Sequence, residues 1–226
     1  STQNPTEVQH LVAHVLDVPQ NAIEVVTRRM GGGFGGKETD SSQLACICAI
    51  FSKRTLRPVK ARLSRKDDIL LTGKRHDFVA KYQVGYNDEG IIQGIEIDLA
   101  ARCGYSLDLS KAIVSRALFH ADNTYFIPNA TFKGFLCKTN TASNTAFRGF
   151  GGPQGMLTIE NIIEEIANNM GTDPLNIRKI NYYQKGSNNV TPYDQVIEDN
   201  IIEEITNELI EDSNYLSRRR QVDLFN

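Results

Sequence analysis

The chain has 226 residues, 40% hydrophobic and 23% charged, with 25 Lys and Arg against 27 Asp and Glu for a net charge of −2. A chain of this length builds a core without disulfide or metal support, and its charge balance excludes the basic field that nucleic-acid or acidic-membrane binding requires. No apolar run reaches the ~20 residues of a membrane span, and Ser1-Thr-Gln-Asn-Pro5 lacks the marks of a signal peptide. A soluble, cytoplasmic protein with no nucleic-acid and no membrane partner is expected.

Asn4 can cap a helix with Pro5 at its first position, and Val8, Leu11, Val12, Val15 and Leu16 follow on one face, which predicts a helix over 5–16. Residues 23–27 are β-branched and predict a short strand feeding the glycine loop Gly31-Gly-Gly-Phe-Gly-Gly36, and an apolar helix is expected over 41–53. Residues 59–63 predict a second strand. Alternation through Phe78, Ala80, Tyr82, Val84 and Tyr86, the turn Asn87-Asp-Glu-Gly90 and the run 91–101 predict a hairpin. Further on come a short helix over 109–120, a strand over 130–139 and a long helix over 153–170 with Leu157, Ile159, Ile162, Ile163, Ile166 and Met170 facing the core. Asp173-Pro174 caps another helix, 183–193 is a polar loop, and 198–212 is an acidic amphipathic helix. Strands and helices mix without regular βαβ alternation, so the fold class is α+β.

Cys46 and Cys48 lie in an apolar run, spaced C-x-C with no His at ligand spacing, and read as buried free thiols. His10 and His14 are four apart, but no H-E-x-x-H pattern surrounds them, and a structural role is the better reading. The chain begins without Met and ends in an amphipathic pattern cut short after Arg218-Arg-Arg220. It is expected to be a fragment of a longer protein, a partial domain over 1–226 with a possible sub-boundary near 184–195.

Gly31 to Glu38 fits G-x-G-x-x-G, but the acidic residue that a dinucleotide fold wants about 20 positions on is replaced by Ser52-Lys-Arg-Thr-Leu-Arg57. It also spells G-x-x-x-x-G-K, with Glu38 where a P-loop needs a hydroxyl for magnesium. A loop whose glycines only make tight turns is the plain reading, and Phe34 at its centre argues against it. The second unusual stretch is Asn144-Thr-Ala-Phe-Arg-Gly-Phe-Gly-Gly-Pro-Gln154, which suits either an anion site at a helix start or a simple connection.

Gly-Gly-Lys-Glu in one loop and Ala-Phe-Arg-Gly-Phe-Gly-Gly-Pro-Gln in the other resemble the molybdenum-cofactor-binding subunit of the xanthine dehydrogenase and aldehyde oxidase family. The likeness continues through Ser1 to Pro5, Arg29-Met30, Ser115-Arg-Ala-Leu-Phe-His120 and Cys137-Lys-Thr-Asn140. It implies that Gln3, Gly33, Phe34, Gly35 and Arg148 bind a molybdenum–molybdopterin cofactor, with Gln3, Phe34 and Arg148 around the metal centre. It further implies that Glu38 and Arg116 are the catalytic, substrate-facing pair and that Phe150 lies against the substrate ring.

Xanthine-oxidising members carry Glu and Arg at those two positions, so the resemblance points to a purine, hypoxanthine or xanthine, hydroxylated to urate. Iron–sulfur clusters and FAD would sit on other domains or subunits, and the full enzyme would be a dimer. The family's general-base glutamate lies downstream in a Gly-Glu context that does not occur after Gly152 here. The chain alone is therefore expected to be inactive. The alternatives are a nucleotide-binding protein using Gly31 to Lys37 and a non-catalytic assembly module.

Overall fold

The computed structural model describes residues 1–226. The element order is α1 (Pro5–Leu16), α2 (Asp40–Thr55), α3 (Arg65–Leu71), β1 (Phe78–Tyr86), β2 (Ile92–Gly104), α4 (Ser110–Phe119), β3 (Ala130–Lys138), α5 (Gly152–Met170), α6 (Pro174–Asn181), α7 (Ile202–Asp212) and α8 (Tyr215–Phe225). The three strands form one sheet in the order β1-β2-β3. Two compact units emerge, one of residues 1–80, 99–118 and 134–154, the other of 81–98, 119–133 and 155–226. Residues 184–195 fall within the second.

In the first unit, the capping expected at Asn4 is present. Its side chain accepts from the Glu7 amide at 3.3 Å and donates to Glu7 Oε2 at 2.6 Å, which satisfies a donor of the first turn and fixes where α1 begins. Val8, Val12 and Ala13 are buried on α1, which packs on α2. Ala101, Cys103 and Val114 form a buried cluster under Phe78 and Leu118.

Residues 23–27 and 59–63, expected as strands, form none. β-branched composition suits a pleated surface but becomes a strand only where a neighbouring backbone completes the ladder, and the sheet pairs only β1, β2 and β3. The structure adds α3, whose start is capped by Ser64 accepting from the Asp67 amide at 3.2 Å. Cys46 and Cys48 are free thiols, but they are half-buried on α2 rather than buried.

In the second unit, Asn87 makes the turn of the β1–β2 hairpin, its Oδ1 accepting from the amides of Glu89 and Ile91 at 3.1 and 2.9 Å. Gly90 has φ +88, and a Cβ there would stand 2.6 Å from Ile177 Cδ1, so the turn admits only glycine. On α5 the stripe Ile159, Ile162, Ile163 and Ile166 is buried as the spacing predicts. Leu157 is 62% exposed, because two residues before Ile159 lies about 200° around a helix from it.

Tyr125 and Arg178 both bind Glu160: the Tyr125 hydroxyl donates to Oε1 at 2.7 Å and Arg178 Nε to Oε2 at 3.0 Å. The buried Tyr183 hydroxyl donates to Asp122 at 2.6 Å. The expected helix over 198–212 begins at Ile202, and α8 follows it. No helix is long and apolar enough to cross a membrane.

Candidate functional site

The first glycine loop is fastened to the segment that enters α1. The Gln3 and Thr2 side of that segment donates to Lys37 O, from the Gln3 amide at 2.9 Å and from Thr2 Oγ1 at 3.1 Å. In return the Gly35 amide donates to Gln3 Oε1 at 3.0 Å. A Cβ on Gly33 would lie 2.3 Å from that same Oε1, so the close approach of Gln3 to the loop requires glycine there. Lys37 Nζ closes the loop's base by donating to Met30 O at 2.7 Å.

The two loops meet at Gly35. It has φ +96, and a Cβ would stand 2.6 Å from the carbonyl of Ala146. Phe34 has φ +51 and is 65% exposed, and the Arg148 guanidinium lies over its ring at 5.6 Å from the centroid. Gln3, Phe34 and Arg148 thus converge, as the sequence suggested, although the loops are more than a hundred residues apart. Arg75 supports the second loop, donating through Nη2 to Arg148 O at 2.6 Å while its guanidinium stacks on Phe147 at 4.5 Å.

The second loop is seated on α4. Gly151 has φ +99, and a Cβ there would be 2.0 Å from the carbonyl oxygen of Ile113. Phe150, half-buried with φ +50, is the residue before this contact. Arg116 lies in the last turn of α4, one turn beyond Ile113, and is exposed. Glu38 is half-buried, two residues before α2. Burial first, then the charges of Glu7 and Asp108, hold its carboxyl above the ordinary range.

Local sequence reading missed the groups behind these residues. Thr39 Oγ1 donates to Asp108 Oδ2 at 3.2 Å and stands 3.1 Å from Thr145 Oγ1, and the Thr145 hydroxyl donates to the same Asp108 oxygen. His76 Nε2 pairs with Ser110 Oγ at 2.7 Å at the start of α4, and burial lowers the His76 pKa. A cleft of about 320 Å³ opens beside this group, walled by Glu7, Asp40, Ser42, Cys46 and Asp108. Its walls do not include Phe34, Glu38, Arg116, Arg148 or Phe150.

The nucleotide readings lose their context. The loop is entered from an irregular segment rather than a strand, and Lys37 is turned back to Met30 instead of towards a phosphate. What converges is a surface of hydrogen-bond donors, the side-chain Nε2 of Gln3, the Arg148 guanidinium and glycine-thinned backbone, flanked by Phe34. No group of three or more His, Cys, Asp or Glu is arranged to hold a metal. A metal carried by an organic ligand, with oxygen atoms held by hydrogen bonds, fits this donor set.

Residues 1–182 match the family model described as Molybdopterin cofactor-binding domain. The xanthine dehydrogenase/oxidase of Rattus norvegicus is 46% identical over 226 residues, all of this chain and 17% of that protein. The xanthine dehydrogenase of Dictyostelium discoideum is 45% identical over 226 residues, again all of this chain and 16% of that protein. The fold matches quinoline 2-oxidoreductase from Pseudomonas putida 86 with a TM-score of 0.86 at 22% identity, over 99% of this chain and 29% of that one. The chain thus spans about one-sixth of the length of the curated relatives it matches. It belongs to the molybdopterin cofactor-binding domains of the xanthine dehydrogenase family.

Proposed function

We propose that this chain, within a longer enzyme, supplies cofactor and substrate contacts for the oxidative hydroxylation of purines such as hypoxanthine and xanthine. The observation that carries the reading is the meeting of the two glycine loops, with Gln3 on Gly35 and Arg148 over Phe34. When bound, the molybdenum–molybdopterin group supplies the oxygen added to the ring and takes up the electrons removed. Gln3 through its side-chain Nε2, Arg148 and the backbone N–H of Gly33 would hold that group by donating hydrogen bonds to its oxygen atoms, Gly35 would hold Gln3 in place for this, and Phe34 would keep water from it.

Glu38 and Arg116 would face the purine. A nucleophile adding to a hydroxypurine ring pushes negative charge onto a ring oxygen, and a guanidinium aimed at that oxygen binds the transition state more tightly than the ground state. Glu38, held above the ordinary carboxylate range by burial, is able to carry the proton that a ring nitrogen accepts or to accept one from it. Phe150 would lie against the ring, a contact worth about 0.5–1.5 kcal/mol beyond its area. The remaining domains, with iron–sulfur clusters and FAD, would be its partners in a dimer of the full enzyme.

The test is kcat/KM for xanthine and for an aromatic aldehyde in the full-length enzyme and its Arg116→Met and Glu38→Val variants. Losing a charge-assisted bond at Arg116 should cost about 1.5–3 kcal/mol, more than tenfold on xanthine. Aldehydes, which place no partner at Glu38, should be spared by Glu38→Val. Equal losses on both substrates would overturn the purine assignment.

A further inference from the structure

Thr39 occupies the N-cap position of α2, where a threonine hydroxyl ordinarily accepts from the helix's own amides. It makes no such bond. The hydroxyl donates instead to Asp108 Oδ2 at 3.2 Å and stands 3.1 Å from Thr145 Oγ1. A helix start that gives up its cap for distant partners breaks a local rule, and such breaks concentrate at functional sites.

Each member of this junction lies next to a segment that carries site residues. Thr39 follows Glu38. Asp108, itself in the left-handed region at φ +43, precedes Ser110, the first residue of the helix that carries Arg116. Thr145 is buried and comes three residues before Arg148, with its amide anchored to Lys74 O at 3.0 Å. The neighbouring Asp40 accepts from the Gly73 amide at 3.1 Å, and a Cβ on Gly73 would stand 2.7 Å from Thr145 Cγ2, so the run 73–74 is packed into the same place. One carboxylate oxygen therefore joins the three stretches, distant in sequence, that bear Glu38, Arg116 and Arg148.

We propose that Asp108, through Thr39 and Thr145, is a positioning residue that sets the spacing of Glu38 and Arg116 against the second glycine loop and thereby the preference for purines. This rests on the purine reading above. Asp108 touches neither substrate nor cofactor; it acts through the segments it holds, and its charge also reaches Glu38. Two hydroxyl donors on one carboxylate oxygen fix direction as well as distance, and a loose junction would misplace side chains that must meet both edges of one rigid ring.

The test uses the full-length enzyme and the variants Asp108→Ala, Asp108→Asn, Thr145→Val and Thr145→Ser. In Asp108→Ala, amide hydrogen exchange should rise about tenfold or more in 36–40, 110–117 and 145–150 together, whereas Asp108→Asn, which keeps an acceptor oxygen, should stay within about threefold. Xanthine kcat/KM should fall about tenfold in Asp108→Ala and Thr145→Val, with aromatic aldehyde turnover changed by less than about threefold, and Thr145→Ser should restore xanthine.

If Asp108→Ala does not fold, Thr145→Val alone should loosen 36–40 and 145–150. Exchange that rises only around residue 108, or equal effects of Ala and Asn, would overturn the junction. Coupled exchange with the aldehyde hit as hard as xanthine would overturn its role in preference. If the parent enzyme fails to oxidise xanthine, the purine reading and the preference claim fall together; if it oxidises xanthine and the three segments do not loosen together, the junction alone fails.

Discussion

Arg178 in the second unit and Arg148 in the first each have an aromatic side chain nearby, Tyr125 and Phe34, yet their surroundings differ. Arg178 binds Glu160 at 2.9 Å and Glu164 at 2.7 Å, and Glu160 also takes the hydroxyl of the deeply buried Tyr125. Arg148 lies over an exposed Phe34 in a stretch where Phe34, Gly35, Gly149, Phe150 and Gly151 all have positive φ. In the first case polar groups answer one another and hold α5 and α6 together. In the second the backbone is bent into costly conformations and an aromatic ring faces outwards, which makes sense when something else completes the contacts. The difference separates polar groups that maintain the fold from those that the fold presents.

The largest effect that would sharpen this contrast is at Gly151. Gly151→Ala puts a methyl against the Ile113 carbonyl in a left-handed backbone and should cost about 3 kcal/mol or more, seen as a drop in melting temperature of roughly 6–12 °C. Gly36→Ala, with only an ordinary contact 3.7 Å from Gly33 O, should cost less than about 1 kcal/mol. Equal losses would mean that the loops are not shaped by backbone approach.

Next in size, Arg178→Ala leaves Glu160 and Glu164 short of their cation and should destabilise by about 2 kcal/mol, whereas Arg148→Ala should change stability by less than about 0.5 kcal/mol. Denaturant midpoints of the two variants check this, and a costlier Arg148→Ala would break the comparison.

The smallest effect is at Glu38. Its folded pKa lies above the ordinary 4.5 through burial and the charges of Glu7 and Asp108, so the folded state holds the proton more tightly than the unfolded one. The stability carried by the protonated carboxyl is present below about pH 4.5 and is lost as the pH rises through the raised value. Glu38→Gln should therefore raise the melting temperature at neutral pH, with a gain that vanishes towards pH 4. A gain independent of pH would contradict the burial of an ionised carboxyl there.

Features written into short stretches were legible before the structure. Asn4-Pro5 announced the start of α1, Asn87 to Gly90 the hairpin, and the isoleucines of α5 its buried stripe, since each needs only neighbours in sequence. The strands expected over 23–27 and 59–63 failed because a strand needs a partner that composition does not specify. α3 carries a local signal in Ser64, which caps the Asp67 amide, but its seven residues are too short to show a helical period. Gln3, Phe34 and Arg148 came from the resemblance and do meet. The Asp108 junction spans separations of 69, 106 and 37 residues, and no local pattern marks contacts of that range.

If the cofactor covers the surface that the two glycine loops present, Phe34 must lose its exposure when the group binds. Hydroxyl-radical footprinting of the full-length enzyme, with and without its molybdenum–molybdopterin group, reads this at Phe34, with Leu56 and Val26, 89% and 71% exposed, as references. Oxidation of Phe34 should fall about fivefold or more on loading, while the references do not change. Equal oxidation of Phe34 in the two forms would contradict it.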